Sequence, residues 1–444
     1  MVSLEIVVTP PPDCQSVIVL GAGPAGLTTA YRLALRGLRV TVVNQSPLLG
    51  ERLRRESDPP VSILGCHRAT WTLLRSFGVR STQPLFAESR LEFLLPDGRV
   101  ARYPTSRLPA PLHQLFTIGR FAGLSWGERW RLVSWLEQIW DGSLQLAADL
   151  EQRTAESWLE SLAQSRSALQ TIWNPLARWL TGNDVRQLSA DALVTALQQF
   201  FLSRAANSRI WVPREPWARL FVQPMSEALA RAGATMRLGT SAVGFDYHED
   251  RITGVRMKDG ASLQADWYVA AIAAHQLTPL LPERWLTRYA YFQHVVDLIG
   301  LPYDIIQVRA DERITAPRYI LIGTGPFPWI ACKPSERDGS LVAVLAMPRD
   351  QSVTDSEQQV STLLCSLKLL RTDGQLTGFR QQDATHGWLA LPPGTKLRRP
   401  IQRSPISNLI LAGAWTDTGW PTNLESAIVS GERCAEIILE RRPA

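Results

Sequence analysis

The stretch VIVLGAGPAGLTTAYRLALRGLRVTVV, from Val17 to Val43, reads as strand, glycine turn, helix, strand. Val17 to Leu20 is a short apolar, β-branched run of the kind a buried parallel strand requires. Gly21-Ala22-Gly23-Pro24-Ala25-Gly26 follows as a complete G-x-G-x-x-G. In that pattern Gly21 makes the tight turn and Gly23 lets a pyrophosphate approach the backbone. Gly26 lets helix and strand pack closely. The helix is expected to run to about Leu35 with Leu27, Ala30, Tyr31 and Ala34 on one face, and Gly37 ends it. Arg39 to Val43 is the returning strand. The open N–H groups at the helix start make an anion site suited to a dinucleotide phosphate.

A carboxylate normally closes this unit, taking the ribose hydroxyls at the end of the second strand. Here the strand ends in Asn44, followed by Gln45. An amide oxygen accepts one hydrogen bond but brings no charge.

At 444 residues the chain has room for two or three domains. Its hydrophobic content of 45% and charged content of 20% are those of a globular protein. No apolar run is long enough to cross a bilayer as a helix. The opening MVSLEIVVTPPPD lacks the basic and apolar regions of a signal peptide. The five cysteines are scattered, with no C-x-x-C, so neither a disulfide framework nor a metal site is expected. The net charge of +6 is dispersed, which argues against a nucleic-acid protein. Small basic groups at Arg52/Arg54/Arg55, Lys396/Arg398/Arg399 and Arg441/Arg442 read as solvated surface or as attraction to anionic lipid.

The 16 tryptophans are unusual and many lie in the middle of the chain. LPAPLHQLFTIGRFAGL (108–124) reads as a membrane-dipping segment or one wall of a tunnel. Ser125-x-x-Glu128 is a capping box, and Trp126, Trp130, Val133 and Trp140 follow at helical spacings. A tryptophan stripe of this kind is more often core than ligand box. Thr154 and Ser189 read as further helix caps, so residues of roughly 105–210 are expected to be helical. After Pro216 come a helix, Leu220 to Ala232, and strands at Thr235–Leu238, Ala242–Phe245, Ile252–Met257 and Ser262–Ala265. A buried strand is expected over 267–272. Further strands are expected near Ile305–Val308, Tyr319–Ile322 and Leu341–Leu345. The chain closes with a strand into Leu411-Ala412-Gly413, a loop, and a helix from about Asn423 to Glu440.

GAGPAG at the N-terminus, a central Gly-x-x-Val strand unit and a C-terminal "LAG" strand before a helix make a three-part layout. It resembles the FAD-binding domain of the amine-oxidase and phytoene-desaturase superfamily. Within that group the chain is similar to the hydroxysqualene dehydroxylases. The likeness is carried by ILGCHRATWTLLRSFG (63–78), RLPAPLHQLF (107–116), GLSWGERWRL (123–132) and ESWLESL (156–162). WNPLARWLTGN (173–183), DATHGWLALPPG (383–394) and LILAGAWTDTGWPTNLESAIVSGERCAE (409–436) extend it over nearly the whole chain.

The resemblance implies an α/β fold. A Rossmann-like FAD-binding domain, discontinuous over 14–80, 212–280 and 400–444, would carry a substrate-binding domain over 81–211 and 281–399, a helical insertion plus mixed sheet. It implies FAD as cofactor and no metal. Gly21, Gly23, Pro24, Ala25 and Gly26 would meet the pyrophosphate, with Asn44 and Gln45 on the ribose side and the backbone of Val243 at the adenine. Arg52 stands in the family's Gly-Gly-Arg, here Gly50-Glu51-Arg52, and Gly413-Ala414 in its Gly-Asp. Trp420, Pro421, Asn423 and Leu424 would lie by the flavin. Pro59-Pro60-Val61 replaces a polar stretch of the family. Asp417 and Trp420 are the candidates for a catalytic role, and His67 and His386 are further titratable groups in matching segments.

Three readings follow. The first is an FAD-dependent oxidoreductase acting on a long isoprenoid, by reductive dehydroxylation of hydroxysqualene to squalene. The second is a carotenoid-type desaturase or isomerase on the same scaffold. The third is a flavin-poor relative serving as a binding or structural subunit, motivated by Asn44, Glu51 and Ala414. The expected partners are a long-chain isoprenoid, held in a tunnel built by the tryptophan-rich insertion, and a membrane surface. The expected location is the cytoplasm, at the inner membrane face.

Overall fold

A computed structural model describes residues 15–440 apart from 55–61, 81–84, 105, 107, 110–111, 141–148, 203, 336–337, 350–354 and 385–386. The N-terminal stretch read for a leader, Pro59-Pro60-Val61, Arg441/Arg442 and His386 lie outside the described residues.

The chain begins with β1 (Ser16–Leu20), α1 (Pro24–Ala34) and β2 (Arg39–Asn44). It passes α2 (Arg68–Ser76) into an excursion holding α3 (Leu112–Arg120) and α4 (Trp126–Trp140). It returns as β3 (Thr235–Leu238) and β4 (Trp267–Ala270), leaves again, and ends with β5 (Leu409–Leu411) and α5 (Leu424–Glu440). These five strands form one parallel sheet in the order β5-β4-β1-β2-β3. In β1, Val17, Ile18, Val19 and Leu20 are all buried. The inner strands of a parallel sheet are covered on both faces and carry no polar side, whereas the edge strand β3 is largely exposed. α1 and α5 pack together on one face, where Gly431 lies so close to Ala25 and Thr28 that a Cβ would collide with both.

The second excursion builds most of a nine-stranded, mainly antiparallel sheet, centred on Tyr303–Arg313, Ser340–Pro348, Trp329–Pro334 and Arg318–Ile322. That sheet continues through Phe86–Leu94 and Ile210–Pro213 to the dipeptide Ile63-Leu64 beside α2. The middle of the chain is therefore helical with strands at both of its ends. Phe86–Leu94 pairs in parallel with Arg318–Ile322, far away in sequence, a partner that no local pattern announces.

The capping expectations meet their structures. Glu128 accepts from the Ser125 amide and hydroxyl, and the hydroxyls of Thr154 and Ser189 accept the amides of Ser157 and Ala192. The tryptophan stripe does not behave as core throughout. Trp135 and Trp158 are buried and stack edge-on at 5.1 Å. Trp126 and Trp130 are 77% and 70% exposed. The predicted helix Leu220–Ala232 is broken: Ala218–Val222 is a π-helical turn, and the α-helix spans Gln223–Arg231. Among the described residues no helix is long and apolar enough to cross a membrane.

Candidate functional site

The C-terminal ends of β1, β4 and β5 converge on one crevice, the usual ligand position of an open α/β sheet. At its floor, Gly21 has φ +109° and a Cβ there would strike the Ala271 carbonyl. A Cβ on Gly26 would overlap the carbonyl oxygen of Gly21. Gly23, in contrast, points its open Cα position into free space, with nothing within 4 Å. Gly23 is also the N-cap of α1, Pro24 follows at N1, and no side chain caps the helix. Close packing at two glycines and space at the third are what a phosphate-binding turn needs.

Asn44 sits at the rim of this turn as a brace. Its Oδ1 accepts the Ala22 N–H at 3.1 Å, and its Nδ2 donates to the carbonyls of Ser46 (3.0 Å) and Leu48 (3.2 Å). The amide that would face a ribose is thus engaged on its own loop. Gln45 is exposed, and the backbone of Arg52 lies in the short helix Glu51–Arg54. The Gly50 N–H donates to the Ala22 carbonyl at 2.9 Å, which ties this loop over the glycine turn. The Thr240 N–H donates to the Asn44 carbonyl, which brings the segment leading to the half-exposed Val243 alongside. The glycine turn, Asn44 and Thr240 are therefore neighbours in space, with Val243 three residues further along the chain.

The second half of the site is the loop between β5 and α5. Gly413, at φ +151°, leaves the sheet, and the Trp415 indole folds back against it to donate from Nε1 to the Ile272 carbonyl at 3.0 Å. Arg399 holds this loop from beneath. Its guanidinium donates to the carbonyls of Ala414 (3.0 Å), Trp415 (3.3 Å), Thr416 (2.6 Å) and Trp420 (2.7 Å). Burial lowers its pKa to about 10, a cost that the Asp417 charge partly offsets. Arg399 belongs to a group expected as solvated surface. It points inward because a loop with this many unpaired carbonyls needs a planar, multi-donor cation.

Asp417 accepts the Gly419 N–H at 3.2 Å and so braces the same loop. Asn423 accepts the Ser426 N–H at 2.8 Å as the cap of α5. Pro421 and Leu424 are buried, and Trp420 is half-buried. The first turn of α5 also reaches α2. The carboxylate of Glu425, 2% exposed, accepts the amides of Ala69 (2.8 Å) and Thr70 (2.9 Å) and the Thr70 hydroxyl (2.7 Å). Burial raises its pKa against the pull of these bonds.

His67, just before α2, packs edge-on against Trp420 with centroids 5.6 Å apart. Its Nδ1 accepts the Leu64 N–H at 3.3 Å, which assigns the proton to Nε2. Nε2 is buried and has no partner. Burial also pushes the pKa down to about 3, so the ring is neutral. Two more orphaned polar atoms belong to this neighbourhood, one on a side chain bonded to the loop and one on the loop itself. Gln199 donates from Nε2 to the Gly419 carbonyl at 2.7 Å and leaves Oε1 unpaired, and the Thr422 hydroxyl is unpaired. Buried polar atoms nearly always have partners. Three without one, on Thr422 and on the two residues that touch Trp420 and Gly419, mark where a polar ring edge would complete the set. The space at Gly23 and these orphaned atoms are two points at which the residues fit an extended flavin dinucleotide. The carboxylates at positions 44 and 414 that would add charged bonds are missing.

Beyond the loop lies an apolar chamber lined by Phe93, Tyr103, Ile118, Phe121, Trp173 and Phe201, with a cavity of about 70 Å³. Gln114 is its main polar wall. It accepts from the Tyr103 hydroxyl at 2.8 Å and donates to the Phe201 carbonyl at 2.5 Å. The expected tunnel is thus a chamber that aromatic rings largely fill. Segment 108–124 supplies one of its walls. The chamber adjoins the loop through one π-helical turn, Gln198–Leu202, which sends Gln199 to Gly419 and Phe201 into the chamber. Gln199 is not singled out in the sequence, and Arg399 reads there only as part of a basic surface group. Neither carries a local signal, because each acts through backbone carbonyls of a loop about 20 or 220 positions away.

Comparison with known proteins agrees with this geometry. The family model described as flavin containing amine oxidoreductase matches residues 24–439. A zeta-carotene desaturase of Synechocystis is 24% identical over 95% of this chain and 97% of its own. A 15-cis-phytoene desaturase of Synechococcus elongatus is 24% identical over 96% of each. Among solved structures, cyclohexylamine oxidase from Brevibacterium oxydans superposes with a TM-score of 0.67 over 96% of this chain and 99% of that one, at 19% identity.

Proposed function

This chain belongs to the flavin-containing amine oxidoreductases, and from that premise we propose that it is an oxidoreductase acting on a long, apolar isoprenoid, in the manner of a carotenoid desaturase. Its cofactor is FAD. The observation that carries the substrate class is the turn Gln198–Leu202, which places the apolar chamber two residues from the loop at α5. The full-length similarity to zeta-carotene and phytoene desaturases supports the same class.

Bound FAD supplies acceptance or delivery of a hydride equivalent. The chain's own part is to bind, orient and keep water away. The glycine turn and the start of α1 would hold the pyrophosphate. Arg399 fixes the 414–420 carbonyls, and the start of α5 would favour negative charge on a flavin ring placed beside it. Phe93, Phe121, Trp173 and Phe201 hold a hydrocarbon chain by apolar contact. They must turn aside to admit it, since the space between them is small.

One observation favours a second reaction on the same scaffold, the reductive removal of an allylic hydroxyl from hydroxysqualene. His67 offers Nε2–H as a buried hydrogen-bond donor, which a pure hydrocarbon cannot use and a substrate hydroxyl oxygen can. The engaged amide of Asn44 and the missing acid at Ala414 sustain a third, a subunit that binds flavin weakly or not at all.

The test is a visible spectrum of the purified protein before and after added FAD, followed by product analysis with phytoene, zeta-carotene and hydroxysqualene. Added double bonds in either carotene support desaturation. Squalene formed only from hydroxysqualene under reducing conditions transfers the reading to dehydroxylation. A colourless protein that takes up no FAD transfers it to the binding subunit.

A further inference from the structure

The π-helical turn Gln198–Leu202 continues the helix Ala190–Leu197 and stands between the two halves of the site. Turns of this kind often mark functional positions. Residues two apart on a helix face different ways. Here Gln199 goes to the Gly419 carbonyl at 2.7 Å and Phe201 to the chamber wall. The aim of both side chains depends on what holds the turn.

The last carbonyls of a helix have no partner within it. At this end three successive carbonyls are met by side chains. Asn207 Nδ2 donates to the Gln199 carbonyl at 3.1 Å and the Ser208 hydroxyl to that of Phe200 at 2.9 Å, both from just along the chain. The Phe201 carbonyl is met from far away in sequence. It accepts Gln114 Nε2 at 2.5 Å and His113 Nε2 at 3.0 Å, both from α3. His113 and Gln114 are buried, at 2% and 3% exposure. A carbonyl oxygen offers two lone pairs, and here both are used. One donor would satisfy the group and leave its peptide plane free to turn, whereas two donors from adjoining positions fix that plane. Gln114 also reaches the chamber rings. Its Oε1 accepts the Tyr103 hydroxyl at 2.8 Å, and the Tyr103 ring lies 5.1 Å from that of Phe201. The amide of Gln114 is thus engaged at both ends, although an apolar side chain would line this chamber equally well.

We propose that Gln114 is a positioning residue for the cofactor loop. With His113 it fixes the peptide plane at Phe201, and this sets the turn where Gln199 reaches the Gly419 carbonyl, next to Trp420. Neither hydrogen bond of Gln114 goes to the loop itself, so its effect there passes through the turn. The proposal rests on FAD lying against the 413–422 loop.

The experiment is hydrogen exchange read by mass spectrometry on the full chain without flavin, for the wild type, Gln114→Met, Gln199→Met and the double variant. The 413–422 loop is the reporter, and the strand Trp267–Ala270 is the control. Methionine is unbranched like glutamine and donates nothing. The expected result is loop exchange about fivefold faster in each single variant, an unchanged control strand, and a double variant no faster than Gln199→Met alone. FAD titration of the same four proteins should repeat the pattern, with affinity lowered about fivefold and no further loss in the double variant. Effects that add in the double variant overturn the proposal and make the Gln114 bond a local one. A loop as protected in Gln114→Met as in the wild type overturns it too. If Gln114→Met does not fold, Tyr103→Phe releases the Gln114 amide at its other end and takes its place in the cycle, with the same outcomes. Exchange is measured without flavin, so a chain that takes up no FAD leaves this result standing and fails the cofactor reading instead.

Discussion

The imidazole of His67 meets the indole of Trp420 edge-on, with centroids 5.6 Å apart and ring planes at 85°, while its Nε2 has no partner. Burial holds its pKa near 3, against 6.5 for a free histidine. The unfolded chain takes up this proton below pH 6.5, and the folded chain refuses it until about 3. The stability involved is fully present above 6.5 and is lost as pH falls through that window. Between about pH 7 and pH 5 the loss is about 2 kcal/mol. Urea unfolding at the two pH values should show it in the wild type, and His67→Gln should lose that part of the slope. An unchanged slope in the variant would place the pH dependence elsewhere.

Arg399 satisfies four carbonyls of the 414–420 loop at once. Arg399→Met takes this donor from the carbonyls of Trp415, Thr416 and Trp420, while Ala414 keeps the Ser426 hydroxyl, and destabilisation of about 3 kcal/mol is expected. Arg399→Lys keeps the charge but not the fork and should fall between. Denaturant unfolding gives both numbers, and near-wild-type stability of the Met variant would show that the loop holds itself.

Two glycines of one motif should respond in opposite ways. Gly26→Ala drives a methyl into the Gly21 carbonyl and should cost about 2–3 kcal/mol of stability without any ligand. Gly23→Ala meets nothing and should leave stability within about 0.5 kcal/mol, yet remove FAD uptake, because the methyl stands where a pyrophosphate approaches. Thermal melts paired with FAD titrations separate the two effects. FAD uptake by Gly23→Ala equal to the wild type would rule out this turn as the phosphate site.

Restoring charge should restore affinity. Ala414→Asp adds a carboxylate at a position where a charged hydrogen bond to the cofactor is expected; Asn44→Glu adds one too and gives up the donations to Ser46 and Leu48, so it is made in a background whose melting curve is checked first. Each should tighten FAD binding about tenfold or more. Quenching of flavin fluorescence on titration reads the change. No gain from either variant would mean that these positions do not face the ligand.

The parts legible in the sequence are those with a short repeat or a fixed spacing. The alternation of strand, glycine turn and helix, the caps Thr154 and Ser189 and the parallel strands near 267 and 409 all depend on neighbours within a few residues. The π-helical turns were not legible, nor was the pairing of Phe86–Leu94 with Arg318–Ile322. The tryptophans divide for the same reason. Helical spacing puts Trp126 and Trp130 together on one side of α4. Only the packing of α3 beneath them decides which side is inside.

By itself the sequence determined the dinucleotide-type βαβ unit and the place of the C-terminal helix, because backbone sterics and periodicity act locally. Only the folded neighbourhood ties the Asn44 amide oxygen to the Ala22 N–H of the glycine turn and directs Arg399 inward to carbonyls. It alone brought His67, Gln199 and Thr422, drawn from three distant segments, to the loop before α5 with polar atoms still to be paired. Hydrogen-bond partners and burial are properties of the folded neighbourhood, and no spacing along the chain encodes them.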